Sequence, residues 1–149
     1  MKRLFIYYSH TGSGEVVANK LKEYKIDILK IEPKKELTSN FTLSMFIGGF
    51  KGLTKHKDKL KDYDKDISKY DEIIIGSPIW FDRISSPINS VLSDLDFKDK
   101  KVSFVLYSGS GEANKATERL NVLFNNPNIT ILQEPKKNNK ELKKLEIYK

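Results

Sequence analysis

The chain has 149 residues, enough for one domain with a core of ordinary size. It has no cysteine and only two histidines, His10 and His56, far apart in sequence. This excludes disulfides and thiol chemistry and argues against a metal centre. The net charge is +7, but the lysines alternate with acidic residues, as in KHKDKLKDYDKD, which is the pattern of a solvated face. Neither a nucleic acid nor a membrane is therefore an expected partner.

The first apolar run, Leu4–Tyr8, is followed at once by Ser-His-Thr-Gly. It is shorter than the roughly 7–15 apolar residues of a secretion signal, and no run approaches the roughly 20 needed to span a bilayer. The chain reads as cytoplasmic and monomeric. Leu4–Tyr8 instead has the near-continuous apolar character of a strand buried on both faces. Val17, Leu21 and Tyr24 then mark a helix, and Ile26–Ile31 a second strand.

Residues 33–69 form a long connection. Phe46, Phe50 and Leu53 recur at helical spacing within FTLSMFIGGFKGL, but Gly48 and Gly49 interrupt the pattern. A short, poorly regular helix covering one face of the sheet is expected, followed by a charged surface loop. Ile73–Ile75 is the third strand. Ile88, Val91, Leu92 and Leu95 follow at i, i+3, i+4 and i+7, with Ser86 as N-cap and Pro87 at the first helical position. Val102–Tyr107 is the fourth strand, and Ala113, Ala116, Leu120, Leu123 and Phe124 form the next helical stripe. A weaker fifth strand covers Ile129–Leu132. A short amphipathic C-terminal helix turns Leu142, Leu145 and Tyr148 inward.

Strands alternating with helices predict one α/β domain over residues 1–149, a doubly wound sheet of five parallel strands. Ligands of such sheets bind outside the carboxyl ends of the strands, so the loops after each strand are the candidates. The first is Ser9-His10-Thr11-Gly12-Ser13-Gly14. Its glycines allow backbone amides to approach an anion, its hydroxyls add donors, and the next helix offers the positive end of its dipole. Glu15 stands where a P-loop lysine would be, so a phosphate monoester fits better than a triphosphate with magnesium. His10 reads most simply as a solvated loop residue.

The loop after strand three, GSPIWFDRISSP, contributes Ser77, Pro78, Ile79, Trp80, Phe81 and Asp82. Trp80 and Phe81 stand where a surface loop is usually polar, and the pair suits stacking on a flat ring, though one of the two is expected to serve packing. The loop after strand four contributes Ser108, Gly109, Ser110 and Gly111, a tight turn whose amides can bond the polar edge of a ring. A phosphate cradle, an aromatic platform and an amide-lined turn at one sheet edge together match flavin mononucleotide (FMN).

With these motifs in order, the chain resembles the flavodoxin family. SHTGSG is similar to the family's phosphate loop, YDEIIIGSPIWFD to its third strand and ring loop, and VSFVLYSGSGEANKATERL to its second ring loop and following helix. The resemblance implies a 2-1-3-4-5 sheet, non-covalent FMN and electron transfer to a redox partner protein or a small electron acceptor. Three departures stand out. Gly14 replaces the usual final hydroxyl of the phosphate loop. Asp82 stands where many relatives have glycine, near the reactive nitrogen of the ring. The second ring loop has no tyrosine to cover the ring.

Two functions compete on this reading. One is an electron carrier with no substrate pocket, which the small size favours. The other is an FMN-dependent NAD(P)H oxidoreductase acting on quinones or similar acceptors, which an open ring face favours. A phosphorelay receiver is set aside, because it needs acidic residues after strand one and an aspartate after strand three.

Overall fold

A computed structural model describes residues 1–149, and the surroundings of each of them except Gly52. Its elements in chain order are β1 (Arg3–Tyr7), α1 (Ser13–Glu23), β2 (Asp27–Lys30), α2 (Phe41–Leu53), β3 (Glu72–Trp80), β4 (Arg83–Ile84), α3 (Ser86–Asp94), β5 (Lys101–Ser108), α4 (Asn114–Phe124), β6 (Asn128–Gln133) and a C-terminal 3₁₀ segment (Asn139–Tyr148).

Five strands pair in parallel in the order β2-β1-β3-β5-β6. Counted among parallel strands this is the expected 2-1-3-4-5. The sixth strand, the two-residue β4, lies where the sequence predicts a loop; it pairs antiparallel with the end of β3, Ile79 opposite Ile84 and Trp80 opposite Arg83. The two residues between them, Phe81 and Asp82, both have positive φ, 49° and 57°. That is the type I′ geometry that matches strand twist in a two-residue hairpin. β3 therefore runs on through Ser77, Pro78, Ile79 and Trp80 instead of stopping at Ile75.

Side-chain alternation divides the sheet into two faces. Leu4, Ile6, Tyr8, Ile73, Ile75, Phe104 and Leu106 pack with Ile88 and Val91 of α3 and Ala116 and Leu120 of α4. Phe5, Tyr7, Ile74, Val105, Tyr107 and Leu132 pack with Val17, Ala18 and Leu21 of α1 and with Leu145 and Tyr148. Helices on both faces are what a sheet of uninterrupted apolar strands requires.

Four local expectations need correction. The N-cap of α3 is Ser85, one residue earlier than expected, and Ser86 begins the helix. Leu123 of the α4 stripe is exposed, while Ala116 and Leu120 are buried. The C-terminal segment places Leu145 and Tyr148 inward as expected, but as a 3₁₀ helix.

The largest correction concerns α2. It is an unbroken helix of 13 residues, capped by Asn40, whose Oδ1 accepts from the Leu43 amide at 3.0 Å. Its Phe46, Phe50 and Leu53 do not cover the sheet. They are 63%, 66% and 50% exposed, and the buried side of the helix is Ser44, Gly48 and Gly49. The glycines do not break the helix; they make room for rings. A Cβ on Gly48 would lie 2.2 Å from Cε3 of Trp80, and one on Gly49 would lie 2.0 Å from Cδ2 of Phe81. Beyond the helix, Asp58 fastens the connection to α3. Its carboxylate pairs with Lys51 at 2.7 Å and accepts from the Ser86 hydroxyl at 2.6 Å.

Candidate functional site at the carboxyl edge of the sheet

The carboxyl ends of β1, β3, β5 and β6 open into a cleft of about 540 Å³, within the usual range for small-ligand sites. Thr11 and Ser13 line it, with Pro78, Ile79 and Trp80 and with Tyr107, Ser108 and Gly109. A second hollow of about 310 Å³ adjoins it past Trp80, lined by Phe81, Asp82, Ser110, Glu112 and Asn114.

The β1–α1 loop owes its shape to Ser9. This buried hydroxyl accepts from the amides of Gly12 and Gly14 at 3.2 and 3.1 Å. Ser9 therefore organises the turn from within, leaving Thr11 and Ser13 as the hydroxyl residues at the cleft. Gly12 is the N-cap of α1 with φ 99°, a conformation L side chains rarely adopt. Gly14 is required by space. A Cβ there would lie 2.6 Å from Tyr7 Cδ2, 2.7 Å from Ser9 Cβ and 2.9 Å from the Tyr107 hydroxyl. The missing hydroxyl at this position is thus a consequence of the two tyrosines beneath the loop. Tyr107 is buried and its hydroxyl donates to the Tyr8 carbonyl; burial pushes its phenol well above the ordinary range. Behind the loop, Glu15 pairs with Lys30 at 2.6 Å. Burial, the largest single influence, works against its ionisation, but the hydrogen bonds from Lys30, Ser9 and its own backbone amide, with the Lys30 charge, together hold its carboxyl below the ordinary range.

Trp80 is half-buried. Tyr8 and His10 meet its ring edge-to-face at centroid distances of 6.5 and 6.0 Å, and the α2 backbone at Gly48 closes another side. His10 thus serves as a wall for Trp80. Phe81 is 44% exposed and meets Phe46 of α2 at 6.0 Å. Of the aromatic pair, Trp80 faces the cleft and Phe81 forms its outer rim.

Asp82 reaches away from the turn. Its Oδ2 accepts from the Lys115 amide at 3.0 Å, in the first turn of α4, whose own N-cap Ala113 has no side-chain acceptor. Ser77 is fully buried and shares hydrogen bonds with Ser85, its Oγ 3.0 Å from both the Ser85 amide and Oγ. It supports the hairpin and does not line the cleft. In the β5–α4 loop, the Ser108 hydroxyl donates to the Glu112 carbonyl at 2.7 Å, and Ser110 Oγ accepts from the Glu112 amide. Gly111 packs toward Gln133, while Gly109 has open space beside it.

Sequence reasoning missed two contributors. Phe41 and Met45 of α2 line the cleft at i, i+4 spacing, a signal present in the sequence but masked by the glycine pair that follows it. Glu134, Pro135, Lys136 and Lys137 line it from the loop after β6. The rule that ligands bind at the strand ends pointed to this fifth loop too, but it carries no glycine or hydroxyl cluster to attract notice.

A doubly wound sheet with a hydroxyl-rich turn, an aromatic wall and a cleft across its central strand ends defines a nucleotide-type ligand-binding α/β protein. The chain belongs to the flavodoxin family, whose model matches residues 2–149. Among solved structures it is similar to a Bacteroides eggerthii protein assigned as a flavoprotein, at 25% identity and TM-score 0.73, over 86% of this chain and 84% of that one. A Lactobacillus acidophilus flavoprotein solved in complex with FMN is 19% identical, TM-score 0.70, over 93% and 97% of the two chains. Oxidised flavodoxin 2 of Bacillus cereus is 18% identical, TM-score 0.55, over 99% and 94%. No curated protein matches the chain.

The cofactor of the family is FMN, and the residues present fit it. One cleft is lined by the hydroxyl residues Thr11 and Ser13 and by the Trp80 ring, and Gly109 in the same lining has open space beside it. Among the described residues no group of three His, Asp or Glu side chains comes together around a metal. Among the described residues no helix is long and apolar enough to cross a membrane.

Proposed function

We propose that this protein is an FMN-dependent electron carrier, taking electrons from one redox partner and passing them to a partner protein or small acceptor. The observation that carries this reading is the single cleft that joins the hydroxyl-rich turn at the start of α1 to the Trp80 wall. FMN supplies the one- and two-electron chemistry when bound. The chain's part is to bind and orient. Thr11 and Ser13, at the positive end of the α1 dipole, receive the phosphate. Trp80, braced by Tyr8 and His10, sets the plane of the ring, and Pro78 and Ile79 exclude water beneath it. Phe81 and Phe46 form an apolar margin through which electrons leave.

A second reading, an FMN-dependent NAD(P)H oxidoreductase acting on quinones, has one observation in its favour. The adjoining hollow past Trp80 offers space for a small acceptor beside the ring end. Purified protein distinguishes the two. A carrier shows flavin absorption that bleaches with dithionite and negligible steady-state oxidation of NAD(P)H with a quinone. Sustained turnover with NAD(P)H alone as donor overturns the carrier reading in favour of the enzyme, and a protein that takes up no FMN overturns both.

A further inference from the structure

The loop after β6 is built to hold one lysine over the phosphate turn. Pro135 is buried. The Glu134 amide donates to the Ser108 carbonyl at 3.1 Å, and the Glu134 carbonyl accepts from the amides of Lys137 and Asn138 at 2.8 and 2.9 Å. These bonds pin the loop to the end of β5 and turn Lys136 toward the β1–α1 loop. The Lys136 Nζ donates to the Thr11 carbonyl at 2.8 Å. Its stem crosses Gly12, with Cδ and Cε both 3.4 Å from where a Cβ would stand.

The two neighbouring lysines differ in their charge partners. Lys137 pairs with the Glu134 carboxylate at 2.6 Å. Among the described residues Lys136 makes no ion pair; its ammonium meets only a carbonyl. An uncompensated cation thus sits beside Thr11 and Ser13, at the start of α1. The turn itself has no room for a hydroxyl at residue 14, because Tyr7, Ser9 and Tyr107 fill that space.

We propose that Lys136 is the residue that selects the phosphorylated flavin, giving the FMN phosphate a charged donor where residue 14 cannot supply a hydroxyl. The assignment rests on the FMN reading above and goes beyond it. It makes phosphate recognition partly ionic and dependent on a loop from the far end of the chain. A hydrogen bond from a charged group to phosphate is stronger than a neutral one, and a partly exposed ion pair weakens with salt.

The test is titration of apoprotein with FMN and with riboflavin, followed by flavin fluorescence. Lys136→Met keeps a stem to cover Gly12 and removes the charge; Lys136→Arg keeps the charge. Lys136→Met is expected to bind FMN about 10- to 100-fold more weakly and riboflavin within about twofold of wild type. Lys136→Arg is expected to retain most of the FMN affinity. Raising NaCl from about 50 to 500 mM is expected to weaken FMN binding more in wild type than in Lys136→Met. Unchanged FMN affinity in Lys136→Met overturns the assignment. So does an equal loss for FMN and riboflavin, which marks a purely structural lysine. Wild type that binds neither flavin overturns the FMN reading and this assignment with it.

Discussion

Gly48→Ala tests the placement of α2 through the sign of its effect. In an exposed helix, replacing Gly by Ala stabilises by about 1 kcal/mol, because glycine loses more backbone freedom on folding. Gly48 faces inward, however, and an added Cβ would lie 2.2 Å from Cε3 and 2.5 Å from Cζ3 of Trp80. Ordinary carbon contacts are about 3.5–4.0 Å, so ring or helix must move by more than an ångström. Trp80 has little freedom to do so, since Tyr8 and His10 abut its ring. Overpacking of this kind costs about 1–3 kcal/mol. The propensity gain is cancelled or exceeded, and the net expectation is no gain or a loss of up to about 2 kcal/mol. Gly49→Ala is the comparison. Its Cβ would meet Phe81, which is 44% exposed and can swing outward, so this change should be the milder one. Urea unfolding of both variants gives the stabilities. Trp80 is the only tryptophan of the chain, so a shift in its emission reports ring displacement directly. If Gly48→Ala stabilises by the full helix-propensity increment and Trp80 emission is unmoved, α2 does not rest on that ring.

Asp82→Ala leaves the Lys115 amide without its acceptor and should cost about 1 kcal/mol, as loss of a helix cap does. Asp82→Gly loses the same cap but relieves the left-handed backbone at φ 57°, so it should be milder than Ala by about 1 kcal/mol; thermal melts in which both equal wild type would refute the capping role. FMN added to apoprotein should strongly quench Trp80 emission, and a titration that leaves the emission unaltered would place the ring elsewhere. The Glu15 carboxyl lies below its ordinary value of 4.5 in the folded state. Its pair with Lys30 therefore contributes fully above that value and is lost as pH falls through the lowered one. Both side chains are more than a third exposed, so the contribution is about 0.5 kcal/mol after screening. The urea midpoints of wild type and Glu15→Gln should differ slightly at neutral pH and converge in acid, and a gap that widens in acid would contradict the sign.

The alternation of apolar strands with helical stripes determined the doubly wound sheet, because strands buried on both faces can hardly be written otherwise. The three glycine- and aromatic-bearing loops marked the edge where the cleft opens, and the hydroxyls of Thr11 and Ser13 were legible there because sequence neighbours build that turn. What the sequence could not decide were the contacts made between distant segments. Phe46, Phe50 and Leu53 form an apolar stripe of the kind that usually points inward, yet Trp80 and Phe81 occupy the inner side and admit only glycine, so the stripe faces out. Asp82 caps a helix that begins 32 residues later, a contact that no local pattern announces. Lys136 reaches Thr11 across 125 residues of chain only because parallel strands return every loop to the same edge of the sheet. Local periodicity reports which face of an element is apolar; which partner that face meets, and which side chains converge from separate loops, follow from strand order and packing alone.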